Sequence, residues 1–460
     1  MNPGVTLLCA LMCLTAVGCD RVYVHPFFLT AINNNSCKAV EYREQQVKTF
    51  GPISIEWPFA SMHEQGPWNK SEERENHPGV TYLVDQIYIV GARFYQKLRE
   101  IHKGENMLLS PTFIYESLLS LYLGTSGRTA TDLQILLGFD SPSIDPNCTS
   151  KVDGHKVFSA LRSLVHCPFH PKEEDGLFLS KLSCFFLAPG IHLSESIARE
   201  LATPDVSFYI RAVNFTNPTK AAEQISAFVE DKSTHKGKDL QENIDPETSL
   251  LLATYTQLKA LVNGATLLKE PQEFWLDSDT KISVPMMTVT GTFEYKCDGN
   301  PNLSVIKVPV SQCVFLLLLL PTNSSQLAIV EDQYSMTPSR KWLENLSPRQ
   351  IHLTLPKVSF QSVYNLQELL VKQNMADLLG KTATFRALSN TNVTVGKIIN
   401  QQLFELSPTG TDQAEAATEQ NEATETLKIR LDKPFLFAVY ERELEALLYF
   451  GRVTKPRKGT

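Results

Sequence analysis

Three apolar runs in the second half of the chain constrain its fold more than any other feature. Val314 to Leu320 is unbroken by a polar residue and bracketed by Pro309 and Pro321. Its seven residues are too few to cross a bilayer, so it reads as a fully buried strand. Pro434-Phe-Leu-Phe-Ala-Val-Tyr440 and Leu447-Leu-Tyr-Phe-Gly-Arg-Val453 are joined by the polar Glu441-Arg-Glu-Leu-Glu445 and read as a hairpin. Strands of this kind need a large core around them. At 460 residues, 43% hydrophobic and 20% charged, the chain can build one, as one domain or two.

The N-terminus reads differently. Val5 to Val17 is an apolar leader, and the small residues around Gly18 suit a signal-peptidase cut after Cys19, which makes Asp20 the mature N-terminus. Outside residues 1–19 no run reaches the length of a membrane span. The formal charge of −7 argues against a phosphate-binding surface, so neither nucleic acid nor membrane is expected as a partner. Secretion into plasma is the expected location. Three of the nine cysteines leave with the leader; Cys37, Cys148, Cys167, Cys184, Cys297 and Cys313 remain. An oxidising compartment permits up to three bridges among them, and the residues alone do not fix the pairing. Cys313 is read as lying inside a strongly apolar strand and is expected as a buried free thiol. Asn-X-Ser/Thr acceptors stand at Asn34, Asn69, Asn147, Asn214, Asn302, Asn323, Asn345 and Asn392, which fits a secreted glycoprotein.

Residues 30–79 are polar, broken by four prolines and without a sustained apolar period, so they read as a tail before a domain at 80–460. From about Tyr82 the residues Leu83, Ile87, Val90, Phe94 and Leu98 recur at helical spacing. In Asn106-Met-Leu-Leu-Ser-Pro111, Ser110 can cap a helix that Pro111 begins, with Ile114, Leu118 and Leu121 inside it. Thr129 with Asp132 looks like a capping box ahead of Leu133, Leu136 and Leu137. This succession resembles the serpins, and the likeness covers about 380 residues. It extends to Tyr255-Thr256-Gln257-Leu258-Lys259 as a central strand, to Val284-Pro285-Met286-Met287, and to the alternation of Ile351, Leu353 and Leu355. The resemblance implies an α+β serpin fold of about nine helices and three β-sheets, with an exposed reactive-type loop.

The residues behind the leader, Asp20, Arg21, Val22, Tyr23, Val24, His25, Pro26 and Phe27, are identical to the valine form of angiotensin II. The chain therefore resembles the angiotensin-releasing members of the serpins. Val22 to Val24 favour extended backbone, and Pro26 turns His25 away from the helical region. The resemblance implies cleavage by the aspartic protease renin at Leu29–Thr30, with Phe27 and Phe28 supplying apolar side chains to its cleft. Residues 20–29 would then be the decapeptide and 20–27 the octapeptide. It further implies that angiotensin-converting enzyme removes Phe28-Leu29, and that angiotensin receptors contact Tyr23, His25 and the new Phe27 carboxylate. Phe28 departs from the histidine of many mammalian forms. The same resemblance implies a Cys37–Cys148 disulfide tying the tail to the body.

Inhibitory serpins insert their cleaved loop into the main sheet through a hinge of small residues. The matching stretch runs from Gly410, Thr411 and Gln413 through Glu415 to Glu419. With Thr411 inward, as the family implies, Gln413, Glu415 and Glu419 follow it toward the core. Buried unpaired charge costs several kcal/mol, which favours a non-inhibitory chain. Ala414, Ala416 and Ala417 keep a working protease inhibitor as the alternative, beside a carrier of small hydrophobic hormones. Gly380-Lys381-Thr382 lacks the first glycine of a phosphate loop, and His166-Cys167-Pro168-Phe169-His170 has no second ligand pair at zinc spacing. No catalytic residues, metal or cofactor are expected. The expectation is a secreted hormone precursor with no enzyme activity.

Overall fold

The fold is given by a computed structural model that describes residues 22–24, 49–50, 78–139, 150–152, 154–164, 176–201, 207–233, 244–299, 302–336, 339–409, 413–414 and 426–456. Its α-helices are α1 (Pro78–Ile101), α2 (Pro111–Gly124), α3 (Gly127–Leu136), α4 (Gly154–Leu164), α5 (Glu195–Leu201), α6 (Pro218–Lys232), α7 (Leu327–Met336) and α8 (Leu366–Lys372). Strands β1 (Val22–Val24), β2 (Thr49–Phe50), β3 (Met107–Leu109) and β4 (Ser150–Val152) come from the first third of the chain. Then follow β5 (Leu177–Leu187), β6 (Leu193–Ser194), β7 (Ser207–Ala212), β8 (Leu250–Val262), β9 (Thr266–Leu268), β10 (Gln272–Trp275) and β11 (Lys281–Val284). The rest are β12 (Met286–Gly299), β13 (Asn302–Pro309), β14 (Val314–Pro321), β15 (Ser347–Pro356), β16 (Val358–Asn365), β17 (Val395–Pro408), β18 (Gln413–Ala414), β19 (Leu427–Arg430), β20 (Phe435–Glu441) and β21 (Leu447–Val453).

The sequence stripe of α1 is its buried face, with Leu83, Ile87, Val90, Phe94 and Leu98 each at most 3% exposed. Ser110 caps α2 by accepting from the Phe113 amide at 3.3 Å, with Pro111 in the first turn. The capping box expected at Thr129 is absent. Helix α3 already begins at Gly127, and the Thr129 hydroxyl instead accepts from the Thr384 amide at 3.0 Å. Gly127 (φ +54°) takes a backbone form that few other residues adopt, and the helix starts there, three positions before the residue that would follow a Thr129 cap. Helix α1 starts at Pro78, and β2 pairs with β6, so parts of the 30–79 stretch join the folded body.

Two sheets carry the core. The five-stranded sheet has the order β16-β17-β8-β5-β7, with β8 and its Tyr255–Lys259 segment in the middle, as expected. One face rests on α2; the other packs α6 through Leu182, Cys184, Phe186, Tyr255 and Ile399 against Ile225, Phe228 and Val229. The second is a ten-stranded network, because the fourteen-residue β12 is long enough to serve two layers. Along its length β12 pairs β15, while its last residues pair β13. All eight residues of β14 are buried between β13 and β20, and β20 with β21 forms the expected hairpin. Cys313 differs from expectation: it is a half-buried thiol just before β14, outside the apolar strand. Among the described residues the fully buried free thiol is Cys184, pushed up in pKa by desolvation.

Candidate functional site

Two regions bear on function, the N-terminal peptide and the loop between β17 and β19. In the first, β1 lies parallel to β4 with Val22 opposite Ser150, Tyr23 opposite Lys151 and Val24 opposite Val152. Strand β4 lies against α3 and is followed closely by α4. Gly154 at the start of α4 sits so near Leu123 that a Cβ there would lie 2.7 Å from its Cδ2. Gly154, two residues past β4, is thereby packed closely on α2. Asp20, Arg21, His25, Pro26, Phe27, Phe28, Leu29, Thr30, Cys37 and Cys148 lie outside the described residues.

In the second region the five-stranded sheet is closed. β17 pairs directly with β8 from Ile398–Leu252 to Pro408–Val262, leaving no inserted strand between them. Gln413 and Ala414 form β18 instead, pairing parallel with Leu267 and Leu268 of β9 at the edge of the other sheet. The chain returns as β19 beside β15. Gly410, Thr411, Glu415 and Glu419 lie outside the described residues.

Beneath the closed seam runs a polar belt that the sequence reading missed. Asn400 stands opposite Thr254 and Gln402 opposite Thr256. Gln402 donates to the Tyr364 hydroxyl at 2.6 Å, and Ser117 of α2 meets Thr254 at 3.3 Å. Asn400, 1% exposed, has no hydrogen-bond partner for either amide atom. Such a group costs about 1–3 kcal/mol. Nearby, on β5, Lys181, its side chain 8% exposed, is paired with Glu116 beside a cavity of about 10 Å³, room for one water. Desolvation lowers the Lys181 pKa against the opposing pull of Glu116.

A buried charge network joins α1, α7 and β21. Arg452 reaches Glu331 at 3.0 Å, the Glu105 carbonyl at 2.9 Å and the His102 carbonyl. Tyr95 donates to the same carboxylate at 2.6 Å, and its own pKa is raised by burial and then by the Glu331 charge. Aromatic rings fill the space beside it: Tyr334 stacks on Phe450 with centroids 3.8 Å apart, and its hydroxyl lies 2.8 Å from that of Tyr440. An open groove of about 400 Å³ lies elsewhere, at the end of β8 near Phe293 and Arg442.

Of the acceptor asparagines, Asn214, Asn323, Asn345 and Asn392 are exposed. The Thr216 hydroxyl donates to Asn214 Oδ1 at 2.7 Å, and Asn345 holds φ +60°. Asn302 opens β13, while Asn34, Asn69 and Asn147 lie outside the described residues. Lys381 is exposed and paired with Glu247 at 2.6 Å, as a surface residue would be. Among the described residues no helix is long and apolar enough to span a membrane, and no group of acidic, His and Cys side chains could hold a metal.

Residues 87–456 match the family model described as serpin (serine protease inhibitor). The chain belongs to the serpin family. Within it, the sequence is similar to angiotensinogen of Bos taurus, at 33% identity over 99% of this chain and 98% of the relative. Angiotensinogen of Homo sapiens is 34% identical over 98% of each. Among solved structures, human thyroxine-binding globulin complexed with thyroxine superposes with a TM-score of 0.69 at 21% identity, over 82% of this chain and all of that one. Uncleaved ovalbumin gives 0.67 at 19% identity, over 81% of this chain and all of that one. These likenesses establish the α+β serpin fold. As a serpin similar to angiotensinogen, the chain is not an enzyme.

Proposed function

We propose that this chain is the secreted precursor of an angiotensin peptide, cut by renin at Leu29–Thr30 to release the decapeptide Asp20 to Leu29. The observation that carries the reading is the Asp20–Phe27 octapeptide at the head of a chain that matches angiotensinogens over nearly its whole length. Removal of Phe28-Leu29 by angiotensin-converting enzyme would then yield the octapeptide. Acting on its receptors, that peptide would regulate blood pressure and salt balance. The serpin body presents the bond, and a Cys37–Cys148 disulfide tethers the tail eight residues beyond Leu29. The exposed sequons Asn214, Asn323, Asn345 and Asn392 are glycan sites in this reading.

A non-inhibitory body fits Glu415 and Glu419 in the loop, together with a hinge that pairs on β9 rather than entering the main sheet. The alanines at 414, 416 and 417 favour a second reading, a working inhibitor, which would form a stable covalent complex with a target protease. Mass spectrometry of a renin digest tests the first reading. The expected product is the decapeptide ending at Leu29; a first cut elsewhere, or none, defeats it.

A further inference from the structure

We propose that the groove at the end of β8 binds a small amphipathic carboxylate, an anion with an apolar body of one short chain or ring, and that Arg442 holds its head group. Nothing in the site belongs to the N-terminal peptide, so the proposal stands apart from the precursor reading.

The groove forms where the two sheets part. Val262 ends β8 in the five-stranded sheet, and Asn263 and Gly264 (φ +73°) then turn the chain toward β9. Phe293 of β12 and Val308 of β13 belong to the other sheet. With Val310 they make an apolar floor, each at most 7% exposed and continuous with the main core. One wall is the turn ahead of β14, and it is braced from within. The Ser311 hydroxyl accepts from the Cys313 and Val314 amides at 3.3 and 3.2 Å, and the Val310 amide donates to the Val314 carbonyl at 3.2 Å. Behind this turn the chain packs backbone to backbone, since a Cβ on Gly176 would lie 2.3 Å from the Val310 carbonyl oxygen. The space left is about 400 Å³, within the about 300–1,000 Å³ of small-molecule sites.

Arg442 is the one charged side chain that lines the groove among the described residues. Its place is set twice. The Arg442 amide donates to the Cys313 carbonyl at 2.8 Å, and its Nη2 donates to the Ser311 carbonyl at 3.1 Å. A guanidinium carries five N–H donors, so most of the fork stays free. Among the described residues it forms no ion pair. Its neighbour Glu441 turns its carboxylate to the Glu443 and Leu444 amides at 3.0 and 2.7 Å, Glu443 is exposed on the turn, and Lys307 beside the groove is already paired with Glu294 at 2.6 Å. An exposed arginine alone is a surface charge. Held at the mouth of an apolar hollow that no carboxylate lines, it matches an anion with a carbon tail. Asn263 and Gln312 on the rim add amide donors for the second carboxylate oxygen. Val262 also pairs with Pro408 at the last rung of the β17–β8 seam. A ligand resting on Val262 therefore binds the closed sheet and stabilises it by linkage.

Isothermal titration calorimetry of the delipidated full-length protein with decanoate tests the site, beside decyltrimethylammonium, which carries the same chain under the opposite charge. Decanoate should bind one-to-one with a Kd of about 100 μM, and the cation about tenfold or more weakly. At ten times its Kd, decanoate should raise the folding constant about elevenfold, read as a higher melting temperature. Arg442→Gln should weaken decanoate about five- to tenfold and leave the melting temperature of the free protein unchanged. Gln312→Trp, a change at the exposed rim, should fill the groove and abolish binding, again without lowering the melting temperature. Absence of saturable binding up to about 2 mM decanoate would overturn the proposal. Equal affinity for the two probes, or parent-like decanoate binding in either variant, would overturn it as well.

Discussion

Cleavage of the loop between Glu415 and Glu425 should leave the melting temperature of the body nearly unchanged. In an inhibitory serpin the freed loop enters the main sheet, and the body gains tens of degrees. Here that would mean parting β17 from β8 along Ile398–Pro408 and replacing one interface by two. The net gain is one ladder of about ten residues, roughly 10 kcal/mol at about 1 kcal/mol per hydrogen bond. Against it stand Glu415 and Glu419, whose burial without partners costs several kcal/mol each, about 8 kcal/mol together. The remainder, about 2 kcal/mol, shifts the midpoint of a body of about 380 residues by only about 2–3 °C. Burial raises a carboxyl pKa, so the gain from insertion grows as the pH falls and both groups take up protons. Circular dichroism melts of intact and loop-cleaved protein at pH 7.4 and pH 4.5 make the comparison. A gain of tens of degrees at pH 7.4 would refute the charge reasoning and revive the inhibitor.

The buried network offers a stability test: Arg452→Met should cost about 3–5 kcal/mol, because Glu331 stays buried with its main partner gone. Glu331→Gln should cost less, since Arg452 keeps two carbonyl acceptors, and urea melts rank the two. Asn400→Leu should stabilise the closed sheet by about 1–3 kcal/mol by removing an unpartnered amide; a loss would show that Asn400 has a partner. Cys37→Ser should change the renin rate, and kinetics equal to the parent would leave the disulfide a purely structural staple.

The apolar periodicity of α1, the Ser110-Pro111 cap and the runs of β14, β20 and β21 were legible because each is a local pattern with one packing solution. The failures were tertiary. Thr129 reads as a cap until Thr384, 255 positions away, claims its hydroxyl. Glu331, Arg452 and Lys181 carry no local signal of burial, and only the assembled helices and sheets bring their partners to them. The branching of the larger sheet at β12 likewise follows from pairings between distant strands, which no window of sequence contains. At the candidate site the octapeptide identity is a property of the sequence alone, and only Val22–Val24 of it lie among the described residues. Their pairing with Ser150–Val152 was not legible, because nothing in a short polar loop announces a strand partner.

The central claim is the release of a peptide from the head of this chain by one specific cut. N-terminal sequencing of the secreted protein before and after renin tests it most directly. The expected result is Asp20 first and Thr30 afterwards, on a body that keeps its melting temperature. Asp20 persisting after exhaustive renin treatment, or a new N-terminus other than Thr30, would contradict it.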